Sequence, residues 1–229
     1  MAPTLYMIIT SPPVRSVLMC AKAIGVDLKS VNVDLFVGDH HKPEFLKMNP
    51  QHTVPVLDDD GFILTDSHAI MSYLVSKYGK DKSLYPTDLQ QRALVDHRLH
   101  FDSSILFARG LIVSWSVLFE GAKEIPQKLL DQLFEAIHMV EKFLQKTKYV
   151  AGDHVTIADF SFVTSITSWA PYLPVPLKEF PKITAWLKKM KELPYYSENQ
   201  IGLDQFLQMV KTRIQNEPGL NKKCINVTT

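Results

Sequence analysis

One boundary constrains the fold of this chain more than any other feature. Before about residue 80 the apolar residues come in short, strand-length runs broken by turns, and after residue 87 that alternation gives way to long helical patterns. A change of texture at Lys80–Thr87, a segment holding Pro86, predicts a small α/β unit followed by an all-helical one. The divisions expected are 1–79 for the α/β unit, 80–87 for a linker, 88–218 for the helical unit and 219–229 for a polar, mobile tail.

Inside the first unit, residues 4–9 read as a buried strand, and Thr10-Ser11-Pro12-Pro13 break it. Ser11 is a good N-cap ahead of two prolines. Val14, Val17, Leu18, Ala21 and Ile24 share one helical face. Residues 29–36 alternate as a half-buried strand does, and a loop with Gly38, His40 and His41 leads to a short helix over Pro43–Met48. Short strands near 54–58 and 62–65 flank an acidic turn at Gly61, and Asp66 opens a helix that runs to Tyr78 with Gly79 as its stop. The order is βαβαββα, with the first two strands parallel and the last two a hairpin. Beyond the linker, helices are expected over Gln90–Phe119 (one or two), Pro126–Thr147, from a capping box at Thr156-Ile-Ala-Asp159 to about Ser168, over Pro181–Glu192 and over Leu203–Ile214.

Composition removes several function classes. Lys and Arg total 25 against 24 Asp and Glu, so binding to nucleic acid by bulk charge is not expected. Cys20 and Cys224 are far apart and no CxxC is present, which predicts neither a disulfide framework nor a zinc site. The start lacks the basic and apolar regions of a signal peptide, and the apolar stretch Ile105–Phe119 contains Arg109 and is short for a bilayer. A cytoplasmic protein that meets no membrane is the expectation, and in the cytosol the sequon at Asn226 is a chance match.

Several places could carry chemistry. Ser11 lies at a strand-to-helix junction, where free N–H groups and the helix dipole favour an anion or a thiolate. The Val54-Pro55 step heads an apolar strand, where a cis bond is expected, and Asp66-Ser67-His68 then opens a helix on the same edge as Ser11. Ser11 and the Asp66 helix start are also readable as plain helix capping. His40, His41 and His52 fit no compact metal motif by spacing, so simple exposure or a contact to a carboxylate ligand is expected and a metal is not. Arg109 interrupts an apolar, aromatic array of Phe101, Leu106, Phe107, Leu111, Trp115 and Phe119; Asp102, Asp159 or a ligand carboxylate could pair with it. That array is either core or the wall of an apolar pocket.

Ser11-Pro-Pro-Val-Arg, Asn49-Pro-Gln-His-Thr-Val-Pro-Val-Leu, Asp66-Ser-His-Ala-Ile and Ala151-Gly-Asp-His-Val-Thr-Ile-Ala-Asp159, in this order, resemble the cytosolic glutathione S-transferases. Gly38-Asp-His-His-Lys-Pro-Glu-Phe and Leu99-His-Phe-Asp-Ser make the resemblance closer to the insect epsilon class than to the delta class. The resemblance covers roughly residues 4–210. It implies a thioredoxin-like first domain, an all-α second domain, a homodimer and glutathione as co-substrate. Ser11 would then stabilise the glutathione thiolate. Thr53, Val54 and Pro55 would meet the cysteinyl part, Asp66, Ser67 and His68 the γ-glutamyl end, and His40 and His52 the glycyl carboxylate, with Arg109 also on the glutathione side.

The resemblance further implies a hydrophobic pocket of Pro13, Phe36, Ser104, Phe107, Ala108, Leu111, Trp115, Phe119 and Phe206. The expected activity is attack of the thiolate on apolar electrophiles such as xenobiotics or lipid peroxidation products, with peroxide reduction as a side activity. The alternatives are a carrier of apolar ligands such as steroids or pigments, or a steroidogenic transferase. Members of that steroidogenic branch resemble this chain at Ser11 and Asp66 but carry an acid where Gly110 stands here. Asp66 is itself one methylene shorter than the Glu of many relatives.

Overall fold

The strand-length runs before residue 80 assemble into one mixed sheet. The computed structural model describes residues 2–221. β1 (Thr4–Met7), α1 (Pro12–Ala23) and β2 (Lys29–Asn32) form a βαβ unit whose strands are parallel, with Met7 opposite Asn32. A 3-10 turn at Asp39–His41 and α2 (Pro43–Met48) lead into β3 (Val56–Asp59), β4 (Phe62–Thr65) and α3 (Ser67–Tyr78). β3 is antiparallel to both β1 and β4, and the sheet order is β2-β1-β3-β4. The expected βαβαββα order and both strand pairings are present.

Period-two alternation decides which helix covers which face. Leu5 and Leu57 point into a core shared with Val17 of α1 and Ile70 and Leu74 of α3. Their neighbours Tyr6 and Val56 point the other way, into a separate small cluster with Val33 and Phe45 of α2. β2 ends at Asn32 rather than reaching residue 36, because its one partner, β1, ends opposite it at Met7. The chain then turns, with the Asp34 carboxylate accepting from Phe36 N–H at 2.9 Å. Asp60 and Gly61, both at positive φ (56° and 86°), close the β3–β4 hairpin as a two-residue turn. Gly79 ends α3 in an extended conformation, not a left-handed one. Its glycine character is needed because a Cβ there would lie 2.7 Å from the Val75 carbonyl oxygen.

Asp59 pins the hairpin to α3. Its carboxylate accepts from Lys77 Nζ (2.7 Å), Tyr73 Oη (2.6 Å) and Tyr78 Oη (2.7 Å). Burial raises the carboxyl's pKa, but those three donors outweigh it and hold the group at about 2. A folded-state pKa below the unfolded value stabilises the fold above about pH 4, and that stability is lost as pH falls toward 2. Asp59→Asn is therefore expected to lower stability at neutral pH and to flatten the fall in stability between about pH 4 and pH 2, measured by urea titration across that range.

The helical half contains α4 (Leu89–Phe101) and α5 (Phe107–Leu118), joined through one π-helical segment, Asp102–Leu106, into a single continuous helix. By length and composition that helix, Leu89–Leu118, is long and apolar enough to cross a membrane, and 39% of its most apolar stretch is buried inside the protein. Next come α6 (Gln127–Leu144), α7 (Ile157–Trp169), α8 (Pro181–Lys191), α9 (Ser197–Gln215) and α10 (Pro218–Asn221). The expected capping box is formed: Thr156 and Asp159 satisfy the first turn of α7 reciprocally. All thirteen residues of α7 are buried, so it is the axis around which the other helices pack.

α9 begins six residues before the predicted Leu203, because its first turns are polar and lack apolar periodicity. One of those polar residues, Asn199, is fully buried and accepts from Arg15 of α1, whose other terminal nitrogen donates to Ser168 of α7. Arg15 thereby ties the two halves together, and burial lowers its guanidinium pKa to about 9. Gly202 makes this approach possible, since a Cβ there would meet the Ile9 carbonyl oxygen at 2.0 Å. Cys20 is buried, its thiol pushed up by burial, and Cys224 and Asn226 lie outside the described residues, as does the tail from residue 222.

Candidate active site

α1 starts where β1 ends, and the first functional side chain stands at that junction. Ser11 has extended backbone (φ −71°, ψ 122°) and occupies the N-cap of α1, with prolines in the first turn. The hydroxyl does not cap the helix: Pro13 at N2 has no N–H to offer it, and it makes no bond to the N–H of Val14 at N3. Ser11 instead lines a cleft of about 360 Å³ between the sheet edge and the helical half. The dipole of α1 and an uncommitted hydroxyl thus face the same space.

The sheet supplies one wall. Val54–Pro55 is cis, as the turn chemistry predicts, and Thr53, Val54 and Pro55 line the cleft. Asp66 caps α3 at φ +72°, its Oδ1 accepting from His68 N–H (2.9 Å) and Ala69 N–H (3.1 Å). Ser67 and His68 follow it into the cleft. The two readings of Asp66, cap and cleft wall, therefore both hold.

His40 and His52 sit at the end of the cleft toward α2, with the rings of His40, His41 and His52 gathered together. The resemblance implies that His40 and His52 meet one carboxylate, and the structure adds His41 to the pair. The convergence arises because His40 lies on the turn after Gly38 while His52, at φ +47°, is held by its N–H bond to the Asn49 carbonyl at 3.0 Å. His40 is buried, and burial together with repulsion from His41 and His52 pushes its pKa down.

The helical half supplies the opposite wall. Phe107, Leu111, Ser114, Trp115 and Leu118 recur at helical spacing along one face of α5 and line the cleft, with Phe206 from α9 and Trp169 from α7 behind them. At the mouth Phe36 stacks on Phe119 (ring centroids 5.1 Å apart, 12° between planes), and Phe119 stacks on Trp115 (4.4 Å, 21°). Pro13 completes the contact with the first unit.

Three expected site residues lie elsewhere. Arg109 points away, donating to the Gln132 carbonyl (2.7 Å) and to Glu135 (2.8 Å) on α6; its partner is neither Asp102, nor Asp159, nor a ligand in the cleft. It stands two residues after Phe107, about 200° around the helix, which places it on the far face. Ala108 is likewise rotated off the cleft wall. Ser104 donates to the His100 carbonyl at 2.6 Å, and Ser103 lines the cleft in its place. The π-helical segment sets which serine faces inward, and nothing in the apolar pattern announces it.

The same segment carries a polar device that sequence reasoning missed. Ser161 of α7 donates to Asp102 Oδ2, and His68 Nε2 lies 2.6 Å from the Ser161 hydroxyl oxygen and 3.4 Å from Asp102 Oδ2. With the serine proton spent on Asp102, the imidazole N–H is the donor to Ser161. Asp102 is 2% exposed, and among the described residues its Oδ1 has no hydrogen-bond partner. Asp102 belongs to the cleft lining, and a buried acceptor without a partner there is short of one N–H or ammonium donor. Asp102 enters the sequence reading as a possible partner for Arg109 and within the Leu99-His-Phe-Asp-Ser motif, and neither gives it a place in the cleft.

Comparison with known proteins agrees with this geometry. The family model described as "Glutathione S-transferase, N-terminal domain" matches residues 5–82, and the corresponding C-terminal domain model matches residues 70–194. A glutathione S-transferase 1 of Manduca sexta is 44% identical over 220 residues, covering 93% of this chain and all of the relative. The structure of an epsilon-class glutathione S-transferase from the housefly superimposes with a TM-score of 0.89 at 47% identity, covering 92% of this chain and 98% of that one. A glutathione transferase homologue from Drosophila mojavensis, solved with glutathione bound, gives 0.89 at 48% identity, covering 92% and 97%.

Proposed function

The chain belongs to the glutathione S-transferase family, and from that premise we propose that the cleft binds glutathione, keeps its sulfur as a thiolate at Ser11 and delivers it to an apolar electrophile held against α5. The observation that carries this reading is the Ser11 hydroxyl, positioned at a helix N-cap yet not used for capping and open to the cleft. A hydroxyl there donates to a sulfur anion and has no better partner. The hydrogen bond and the helix dipole both favour the ionised thiol over the neutral one. The thiolate then attacks the electrophile, which the cleft supplies with an orientation as well as a contact.

The remaining groups divide the tripeptide among them. Val54 would pair its backbone with the cysteinyl unit beside Thr53 and Pro55. Ser67 would receive the γ-glutamyl carboxylate at the start of α3, where helix N–H groups favour an anion. The unpartnered Oδ1 of Asp102 suits the γ-glutamyl ammonium, with His68 and Ser161 holding that carboxylate in place. His40 and His52 would donate to the glycyl carboxylate. Arg109 is committed to α6 and takes no part.

The second substrate is read from the apolar wall. Leu111, Trp115 and Phe119 are 38–42% exposed and Phe36 52%, an unusual amount of aromatic surface to leave open unless a ligand covers it. Trp115→Ala should raise KM for a bulky aromatic electrophile by about tenfold, from the loss of about 1–2 kcal/mol of apolar contact, and leave KM for glutathione unchanged. Steady-state kinetics with each substrate varied in turn check this. The carrier alternative predicts tight binding of apolar molecules with no conjugation of any electrophile. A panel of aryl halides, unsaturated aldehydes and organic hydroperoxides, assayed with glutathione, separates the two, and turnover of at least one is the expected result. The assembly is read as a cytosolic homodimer. Phe62 and Leu94, each 49% exposed and outside the cleft, are apolar surface a second copy would cover. Sedimentation at micromolar concentration tests it.

A further inference from the structure

The glutathione reading leaves one member of the histidine cluster without a task. His41 is exposed and does not line the cleft, yet its ring lies 4.0 Å from that of His40 and 4.8 Å from that of His52, centroid to centroid. One ring nitrogen from each of the three comes within 4.8 Å of the others. We propose that His40, His41 and His52 form a binding site for a borderline divalent transition metal, Zn²⁺ or Co²⁺, held by three imidazoles and an exogenous fourth ligand.

The donor set argues for this class of ion. It contains imidazole nitrogens alone, which suit Zn²⁺, Co²⁺, Ni²⁺ and Cu²⁺ and disfavour Mg²⁺ and Ca²⁺. The nearest acid, Asp39, is already engaged: Oδ2 accepts from Asp34 N–H at 3.0 Å and Oδ1 pairs with Lys42 at 2.7 Å. His40 is 92% buried by its 8% exposure, and among the described residues its Nδ1 has no hydrogen-bond partner. A buried ring nitrogen in that state needs a hydrogen-bond partner or a ligand.

The backbone beneath the rings is fixed independently of any ion. His41 N–H donates to the Gly38 carbonyl at 2.9 Å, His52 N–H to the Asn49 carbonyl at 3.0 Å, and the buried Asn49 amide donates to the Thr53 carbonyl at 2.9 Å. A tetrahedral site with metal–nitrogen bonds of about 2.0–2.1 Å needs its nitrogens about 3.3 Å apart. The exposed His41 and His52 rings can close the remaining distance by side-chain rotation, with His40 as the fixed member.

The test uses the full chain, purified without a histidine tag and free of glutathione, titrated with ZnCl₂ by calorimetry and with CoCl₂ by visible absorption. One ion per chain and the strong visible bands of tetrahedral Co²⁺ are the expected results. His41→Gln should weaken binding by about tenfold or more and abolish those bands, while leaving glutathione conjugation unchanged. His52→Gln should weaken the metal comparably. Absence of stoichiometric binding, or binding of equal strength in His41→Gln, overturns the proposal. The inference shares His40 and His52 with the glutathione reading, so the titration is made without glutathione, and His41, which has no part in that reading, keeps the two failures distinguishable.

Discussion

Replacing Ser11 with alanine is expected to lower kcat/KM for conjugation of an aryl halide by about 10–100-fold and to raise the pKa of the bound thiol by about one to two units. The magnitude follows from one hydrogen bond to a charged acceptor, about 1.5–3 kcal/mol, at about 1.4 kcal/mol per pKa unit. The loss should appear mainly in kcat, since the rest of the tripeptide keeps its contacts along Val54, Ser67 and Asp102. It should also shrink as pH rises, because glutathione then ionises without help. Ser11 accepts no structural duty that would confuse the result: its hydroxyl caps nothing, and its backbone carbonyl still accepts from Arg15 N–H at 3.1 Å in the alanine variant. A rate and a bound-thiol pKa unchanged in Ser11→Ala would remove the hydroxyl from the mechanism.

Asp159→Ala should be the most damaging single change to the fold, costing about 3–5 kcal/mol and lowering Tm by on the order of 10 °C. The carboxylate is fully buried at the first turn of α7 and accepts four bonds: from Val150 N–H (3.0 Å), Thr156 N–H (2.9 Å), Thr156 Oγ1 (3.1 Å) and Trp186 Nε1 (2.9 Å). Burial pushes its pKa up, and those donors oppose the shift. Alanine leaves all four donors without an acceptor in the interior and opens a void beside Trp186. Asp159→Asn keeps one acceptor oxygen and should fall between alanine and the natural residue. Urea unfolding of the two variants gives the ordering directly. If Asp159→Ala loses less than about 1 kcal/mol, the capping network is not what anchors α7.

The parts of the fold written in local pattern are legible in the sequence alone. Tyr6 and Leu5 alternate because a sheet has two faces, and Thr156 with Asp159 announces a helix start by a bond pair three residues apart. The sheet-side wall of the cleft was legible for the same reason. Ser11, Val54 and Asp66 each sit at the end of a strand or the start of a helix, where the backbone itself advertises open groups. The misses depend on what cannot be read locally. β2 stops where β1 stops, which is a property of the partner strand. The charge of Arg109 in an apolar run leaves Asp102, Asp159 and a ligand carboxylate open as partners, and the resemblance puts it on the glutathione side, but helical phase places it on the opposite face from Leu111. The π-helical turn exchanges Ser104 for Ser103 on the wall without any change of composition. The His68–Ser161–Asp102 chain joins residues from α3, α7 and the π-helical segment, and the approach of His52 to His40 and His41 joins two loops. Neither follows from spacing along the chain.

The most direct test of the central claim is a crystal structure of the protein with glutathione bound. It should place the sulfur within hydrogen-bonding distance of Ser11 Oγ, the cysteinyl backbone against Val54 and the γ-glutamyl ammonium against Asp102 Oδ1. The face of α5 bearing Leu111 and Trp115 should stay open beside the sulfur. A sulfur held away from Ser11, or a tripeptide lying along the apolar face of α5, would contradict it.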